Sequence, residues 1–334
     1  MENIQYHNLP TSTPVLFMVF NRLETTKQVL AAIRQAKPAR FYIAADGPRL
    51  QCLGEEQKVQ AVRDYVLSHL DWECEIKTLF RDKNLGCGRA VSTAIDWFFE
   101  HESEGVILED DCVPDPSFFR YADELLDRYR DDERIMVISA LHLHGLSHTP
   151  PHSYFFSRYN HVWGWASWRR AWRHYDRDMG LWPSLRDTDW LLAVGHGSKP
   201  FQRYWTTTFD AVFAGKIDTW DYQWMFSCWS QSGLTVLPAR NLVTNVGCKE
   251  GTHTYVDGEA TAILPLEKLE FPLSHPLTVS QDFAADEWSD RHVFGIEPIL
   301  PFYKRAVRRI PGTNHLAATL RKACKKLRIF SFTA

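Results

Sequence analysis

Three consecutive carboxylates, Glu109, Asp110 and Asp111, follow directly on the apolar residues Val106, Ile107 and Leu108, and Pro114 and Pro116 hold the turn beyond them. The apolar run reads as a buried strand, which puts the acids at a strand's carboxyl end, where open α/β sheets hold their ligands. Adjacent carboxylates repel, so gathering them in one recess requires a cation or hydrogen-bond donors. Mg2+ or Mn2+ suits such a turn, because these ions take few carboxylates and complete their shell with water and phosphate oxygens. The plainer alternative is a solvated acidic turn.

Other residues in the chain carry chemistry of their own. Asp221 stands between Trp220 and Tyr222, and a carboxylate among aromatic rings suits a general base; the competing reading is a helix cap for the segment that follows. Lys249 and His253 lie in a Gly-containing loop, where they would meet phosphate oxygens or complete a metal shell. His142, His144, His148 and His152 cluster among Pro, Ser and Gly. Their spacing has no HExxH pattern, so they read as a loop near the substrate. The tryptophans at 163, 165 and 220 are core residues or a platform for a sugar ring, since an indole face packs on C–H groups while its N–H donates.

The elements that must position these groups come from periodicity. Residues 14–20, 41–45, 75–80, the run ending at Glu109, and 135–139 read as strands. The segments 23–35, 55–70, 89–100 and 116–129 between them read as helices. This alternation predicts right-handed βαβ units, a mostly parallel central sheet flanked by helices, and one rim that gathers Asn21, Arg22, Asp46, Gly47 and the acid triplet. No GxGxxG follows the first strand and no GxxxxGK[ST] occurs, which disfavours a dinucleotide cofactor and excludes a P-loop NTPase.

Composition adds bounds. Apolar residues are 45% of the chain and charged residues 24%, as in soluble globular proteins. Seven scattered cysteines without a CxxC pair argue against a disulfide framework or zinc cluster and predict a reducing compartment. With no apolar leader or run of membrane-spanning length, a cytoplasmic location is expected. Net charge is −3, yet no acid follows Glu297 while nine Lys and Arg do, leaving −12 on residues 1–298. The basic, partly apolar stretch 312–334 predicts an amphipathic helix on an anionic membrane surface, so a peripheral position on the inner face of the cell membrane is the added expectation. No recognition motif accompanies the charge, and nucleic acid is not an expected partner.

The motifs PVLFMVFNR, AADGPR, NLGCGRAVSTAIDWFF, GVILEDDCVPDPSFF, HVWGWASW, WDYQWM and NLVTNVG…THT occur in this order. In that order the chain, from about residue 14 to 254, resembles glycosyltransferases of the GT-A fold. It is most similar to the bacterial nucleotide-diphospho-sugar transferases of the hemolytic-protein-HlpA-like group, and more distantly to the N-acetylglucosaminyltransferase I type. The resemblance implies an α/β GT-A domain over residues 1–270, with a nucleotide-binding half at about 14–140 and an acceptor half at about 141–270. A C-terminal basic helical extension, 271–334, would follow.

The same resemblance implies that 109–111 is a DXD-like motif, with Asp111 the direct ligand of a Mn2+ or Mg2+ ion and His253 beside the diphosphate. Glu109 and Asp110 would contact ribose and donor sugar. Asn21, Arg22, Asp46 and Arg89 would hold the nucleotide, and Trp163, Trp165 and Trp220 the acceptor. Asp221 would be the base of an inverting transfer from a nucleoside-diphosphate sugar to a hydroxyl of a glycan or lipid-linked acceptor. The sequence departs from the pattern at 247–252, where GCKEGT replaces a GFGEDAT-like stretch, and in the His-rich loop after Ser139. Two other functions remain in play: a non-catalytic carbohydrate-binding protein on a transferase-like domain, and a sugar-nucleotide pyrophosphorylase. The latter's GxGTR-type loop is missing after the first strand.

Overall fold

A computed structural model describes residues 10–247 and 264–297. The apolar runs of the N-terminal half become neighbouring parallel strands: β1 (Val15–Val19), β2 (Arg40–Ala45), β3 (Glu75–Phe80) and β4 (Glu104–Glu109). They line up as β3-β2-β1-β4, with Met18 opposite Glu109 and Val19 opposite Ala45. The interiors of β1, β2 and β4 are apolar on both faces because helices cover both, whereas the edge strand β3 exposes Glu75, Ile76 and Thr78. The connections are α1 (Leu23–Ala36), α2 (Glu55–Ser68) and α3 (Cys87–His101). In α1, Val29, Leu30, Ile33 and Ala36 form the buried stripe, and Lys37 ends the helix in the left-handed region with its N–H on the Ile33 carbonyl.

Beyond β4 the sheet changes character. After β5 (Cys112–Pro114) and α4 (Ser117–Arg128) come β6 (Ile135–Ser139), β7 (Tyr154–Ser157) and β8 (Trp165–Trp168). Strand β8 runs antiparallel between β4 and β6. The order ends β8-β6-β9-β7, with β9 (Leu234–Pro238) parallel to β6 and antiparallel to β7. Four of the seven pairings in this eight-stranded sheet are parallel, so it is a mixed sheet with a parallel half rather than the mostly parallel one expected. A separate two-stranded ribbon pairs β5 with β10 (Val243–Asn245), matching Asn245 to Cys112.

Strand β8 explains much of the tryptophan content. Trp165 points to the face that carries Phe98, Trp172, Trp220 and Trp224, and Trp168 to the opposite face with α4. Three short helices, α5 (Arg169–Trp172), α6 (Trp182–Leu185) and α7 (Trp190–Val194), lead to α8 (Lys199–Phe213) and α9 (Asp221–Ser230). These build a further aromatic cluster around Trp182, Trp205 and Trp229.

The last described helix, α10 (Phe283–His292), is fastened to β7. Ser157 donates to Asp286, and both Arg158 Nη2 contacts to the Asp290 carboxylate are 2.7 Å. Leu269 and Leu273 join the main core. Leu273 and α10 thus pack against the same body as the residues before 270. The basic stretch 312–334 lies outside the described residues.

Candidate active site

The acid turn sits where the sheet pattern put it. Strand β4 carries Glu109 to the rim, the chain turns at Asp110 and Asp111, and β5 leads away under β10. Asp110 is 3% exposed and accepts the Phe20 N–H at 3.3 Å from the end of β1. Arg22, at the cap position of α1, bridges the turn: its Nη1 donates to Asp111 Oδ2 at 2.8 Å and its Nη2 donates to Asp110. Burial pushes the Asp110 carboxyl up to about 6, against the pull of Arg22. Glu109 goes further, to about 8, chiefly through desolvation and then through Asp111 and Asp110 beside it. Among the described residues no donor hydrogen-bonds the Glu109 carboxylate. One guanidinium does not offset this much negative charge.

A second wall comes from α9 and the loop before it. Asp221 is the first residue of α9, with Trp220 in the cap position. Its Oδ1 accepts from the Thr219 hydroxyl and from the Tyr222 N–H at 3.0 Å, which leaves Oδ2 without a hydrogen-bond partner among the described residues. The charge of Asp221 reaches Glu109. Asp218 closes the gap to the N-terminus of α3, accepting the Gly88 N–H at 3.1 Å. Cys87 is exposed at the start of α3, and loss of solvent around its sulfur, together with the charges of Glu109, Asp218 and Asp221, raises its thiol pKa. Carboxylates from two separate places in the chain, Glu109–Asp111 and Asp218 with Asp221, thus act on one neighbourhood at the rim.

Several expected residues have other partners. Asp46 accepts the N–H groups of Gly47 at 2.9 Å and Leu85 at 3.0 Å, so it ties the loop before α3 to the end of β2. Asn21 donates to Glu55 at 2.9 Å, and Glu55, held well below the usual carboxylate range by Arg49, anchors the turn after β2. Arg89 is exposed on the first turn of α3.

The aromatic platform needs correction. Trp165 and Trp220 are 1% and 3% exposed and stack with ring centroids 5.7 Å apart inside the core. Their area is spent on packing, because β8 is covered on both faces. Trp163 alone of the three is half-buried. The His-rich loop is structural as well: His142 bonds the Pro238 carbonyl at 2.8 Å and His144 the Ala285 carbonyl at 3.0 Å. His253 and Lys249 lie outside the described residues.

Sequence reasoning missed Asp218 and Thr219. The only signal was their place just ahead of the Trp220-Asp221 pair.

No protein-family model matches the chain, and no curated protein matches it. Solved structures with partial overlap include the mannosyltransferase PcManGT from Pyrobaculum calidifontis in complex with GDP-Man and Mn2+. It is 14% identical with a TM-score of 0.32, covering 47% of this chain and 44% of that one. Mouse xyloside xylosyltransferase 1 is 10% identical with a TM-score of 0.33 over 64% of this chain and 79% of that one. A UDP-glucose pyrophosphorylase is 9% identical with a TM-score of 0.32 over 67% and 90%. The chain spans less than half of the mannosyltransferase it overlaps. Similarity this slight carries nothing about activity.

Proposed function

We propose that the protein is a glycosyltransferase that moves a sugar from a nucleoside-diphosphate donor to an acceptor hydroxyl at the rim formed by Glu109–Asp111, Arg22 and Asp221. The observation that carries this reading is the meeting of the acid turn of β4 with Asp221 of α9. The charge of Asp221 helps hold the Glu109 carboxyl above its usual range although 112 positions separate the two, and Asp218, three residues earlier, accepts the Gly88 N–H of α3 at 3.1 Å.

The donor set fits a divalent cation. Among the described residues Asp111 Oδ1 is engaged only by the Cys112 thiol at 3.3 Å, and the surrounding charge is strongly negative. Among the described residues no three His, Cys, Asp or Glu side chains converge as a ligand shell. Mg2+ and Mn2+ do not require one, since they take one or two carboxylates with substrate phosphates and water. Asp111 would hold such an ion, which when bound supplies Lewis-acid neutralisation of a departing diphosphate.

The chain's own residues do the rest. Asp221 Oδ2, with Oδ1 fixed by Thr219 and Tyr222, takes the proton of the acceptor hydroxyl as its oxygen attacks the anomeric carbon. Attack from the side opposite the leaving group inverts configuration. Asp46 and Asp218 hold the loop 84–88 and the α9 entry in place, which keeps base and acid turn in register. Trp163 is the half-buried aromatic available to an acceptor ring. We further propose a cytoplasmic site of action with a glycan or lipid-linked acceptor and, through 312–334, contact with an anionic membrane. No helix among the described residues is long and apolar enough to cross one.

The test is a thermal-shift panel of UDP, GDP, dTDP and CMP, each with and without Mn2+, on the wild type and Asp111→Ala. The reading expects a Mn2+-dependent shift with one nucleotide, lost in the variant. Asp221→Asn should retain that shift yet lose transfer by at least about 10²-fold. A flat panel would reject the transferase reading and favour glycan binding without catalysis.

A further inference from the structure

Arg22 is built into the acid turn rather than laid across it. Its side chain is 26% exposed, and its two terminal nitrogens are divided between Asp111 and the buried Asp110. The segment after β10 closes over this pair. Val246 N–H donates to the Asp111 carbonyl at 2.8 Å, and Gly247 N–H donates to Asn245 Oδ1 at 2.9 Å. A Cβ at Gly247 would lie 2.4 Å from Asp111 Oδ2 and 2.7 Å from Arg22 Nη1. The backbone at Gly247 therefore lies against the ion pair, and any side chain there would require Asp111 or Arg22 to shift.

The oxygen that Arg22 holds belongs to the carboxylate assigned above to the metal. A divalent cation on Asp111 would stand against a guanidinium at contact distance, and like charges that close repel strongly. A diphosphate offers the guanidinium two-pronged acceptors in exchange. We propose that Arg22 is the resident counter-ion of the acid turn. It leaves Asp111 when the metal arrives and passes to the donor's diphosphate, so that metal and nucleotide bind cooperatively. This rests on the transferase reading. By linkage the coupling is reciprocal: whatever the nucleotide does for the metal, the metal does for the nucleotide.

The experiment measures Mn2+ binding by electron paramagnetic resonance, first with the metal alone and then with UDP, GDP and dTDP in turn, correcting for Mn2+ chelated by free nucleotide. In the wild type, Mn2+ should bind at least about tenfold more tightly with the matching nucleotide than alone, the size of an ordinary coupling. Arg22→Gln should bind Mn2+ alone at least about tenfold more tightly than the wild type and show little further gain from nucleotide. Arg22→Lys keeps the charge without the fork and should stay close to the wild type for metal alone.

If Arg22→Gln fails to fold, the wild-type comparison still decides: equal Mn2+ affinity with and without the matching nucleotide overturns the inference. So does a folded Arg22→Gln with unchanged or weaker affinity for Mn2+ alone. In both cases, Mn2+ binding that Asp111→Ala abolishes would leave the transferase reading standing. No Mn2+ and no nucleotide binding in any variant would overturn both.

Discussion

Replacing Gly88 by alanine tests whether the α9 entry really abuts the first turn of α3. A Cβ there would lie 2.6 Å from Asp218 Oδ1 and 2.7 Å from the Thr219 carbonyl oxygen. The first contact is cheap to relieve, because a side chain can rotate. The second is with backbone and needs a retreat of about 0.7 Å to reach ordinary contact. Overpacking of this kind costs about 1–3 kcal/mol. Alanine regains at most about 0.8–1 kcal/mol of helix propensity, and less in a first turn. The balance is a net loss of about 1–2 kcal/mol, read from urea unfolding followed by tryptophan fluorescence. Because Thr219 fixes Asp221 Oδ1, a shift approaching 1 Å should also slow transfer by about 10²-fold, more than the stability loss explains. Wild-type stability or better in Gly88→Ala would refute the packing of these two loops.

Two further outcomes follow from buried charge elsewhere. Burial pushes His144 down to about 4 and His161 to about 3, below the unfolded value of about 6.5. Folding stability is therefore complete above about pH 6.5 and is lost as pH falls toward 4, because the unfolded chain then binds the extra protons. His161→Phe should flatten that loss in a pH series of denaturant melts, since among the described residues Nε2 has no partner to forfeit. Arg158→Ala leaves Asp290 without the guanidinium that holds it at 2.7 Å and should cost about 3–5 kcal/mol, measured the same way. A loss under about 1 kcal/mol would mean that the α10 fastening contributes little.

What could be read from the chain alone was whatever obeyed a period or a boundary. The strands β1, β2, β3, β4 and β6 and the helices between them stood out because an apolar run followed by a polar turn has few other meanings. The acid turn stood out because three carboxylates directly after a buried strand are hard to place anywhere but a rim. Strand β8 did not stand out. Trp165 and Trp168 face opposite sides of a sheet covered on both, so no alternation distinguishes them from a ligand platform. Asp46 and Asn21 were correctly seen at strand ends, but their bonds to Leu85 and Glu55 cross 39 and 34 positions, and no local pattern records them. Arg22 belongs with these: its partners lie 88 and 89 residues away.

The insertion of β8 beside β4 also bears on how the protein can be cut. A fragment ending near residue 140 would keep β3, β2, β1 and β4 with their helices. It would leave β4 as an open edge, its N–H and C=O groups unanswered where Glu104, Gly105, Val106 and Ile107 should meet Trp168, Ser167, Ala166 and Trp165. Bare, apolar edges of that kind recruit other chains. The N-terminal half is thus not a detachable module: such a truncate should aggregate, and during synthesis the rim must wait for the tryptophan strand before it is sealed.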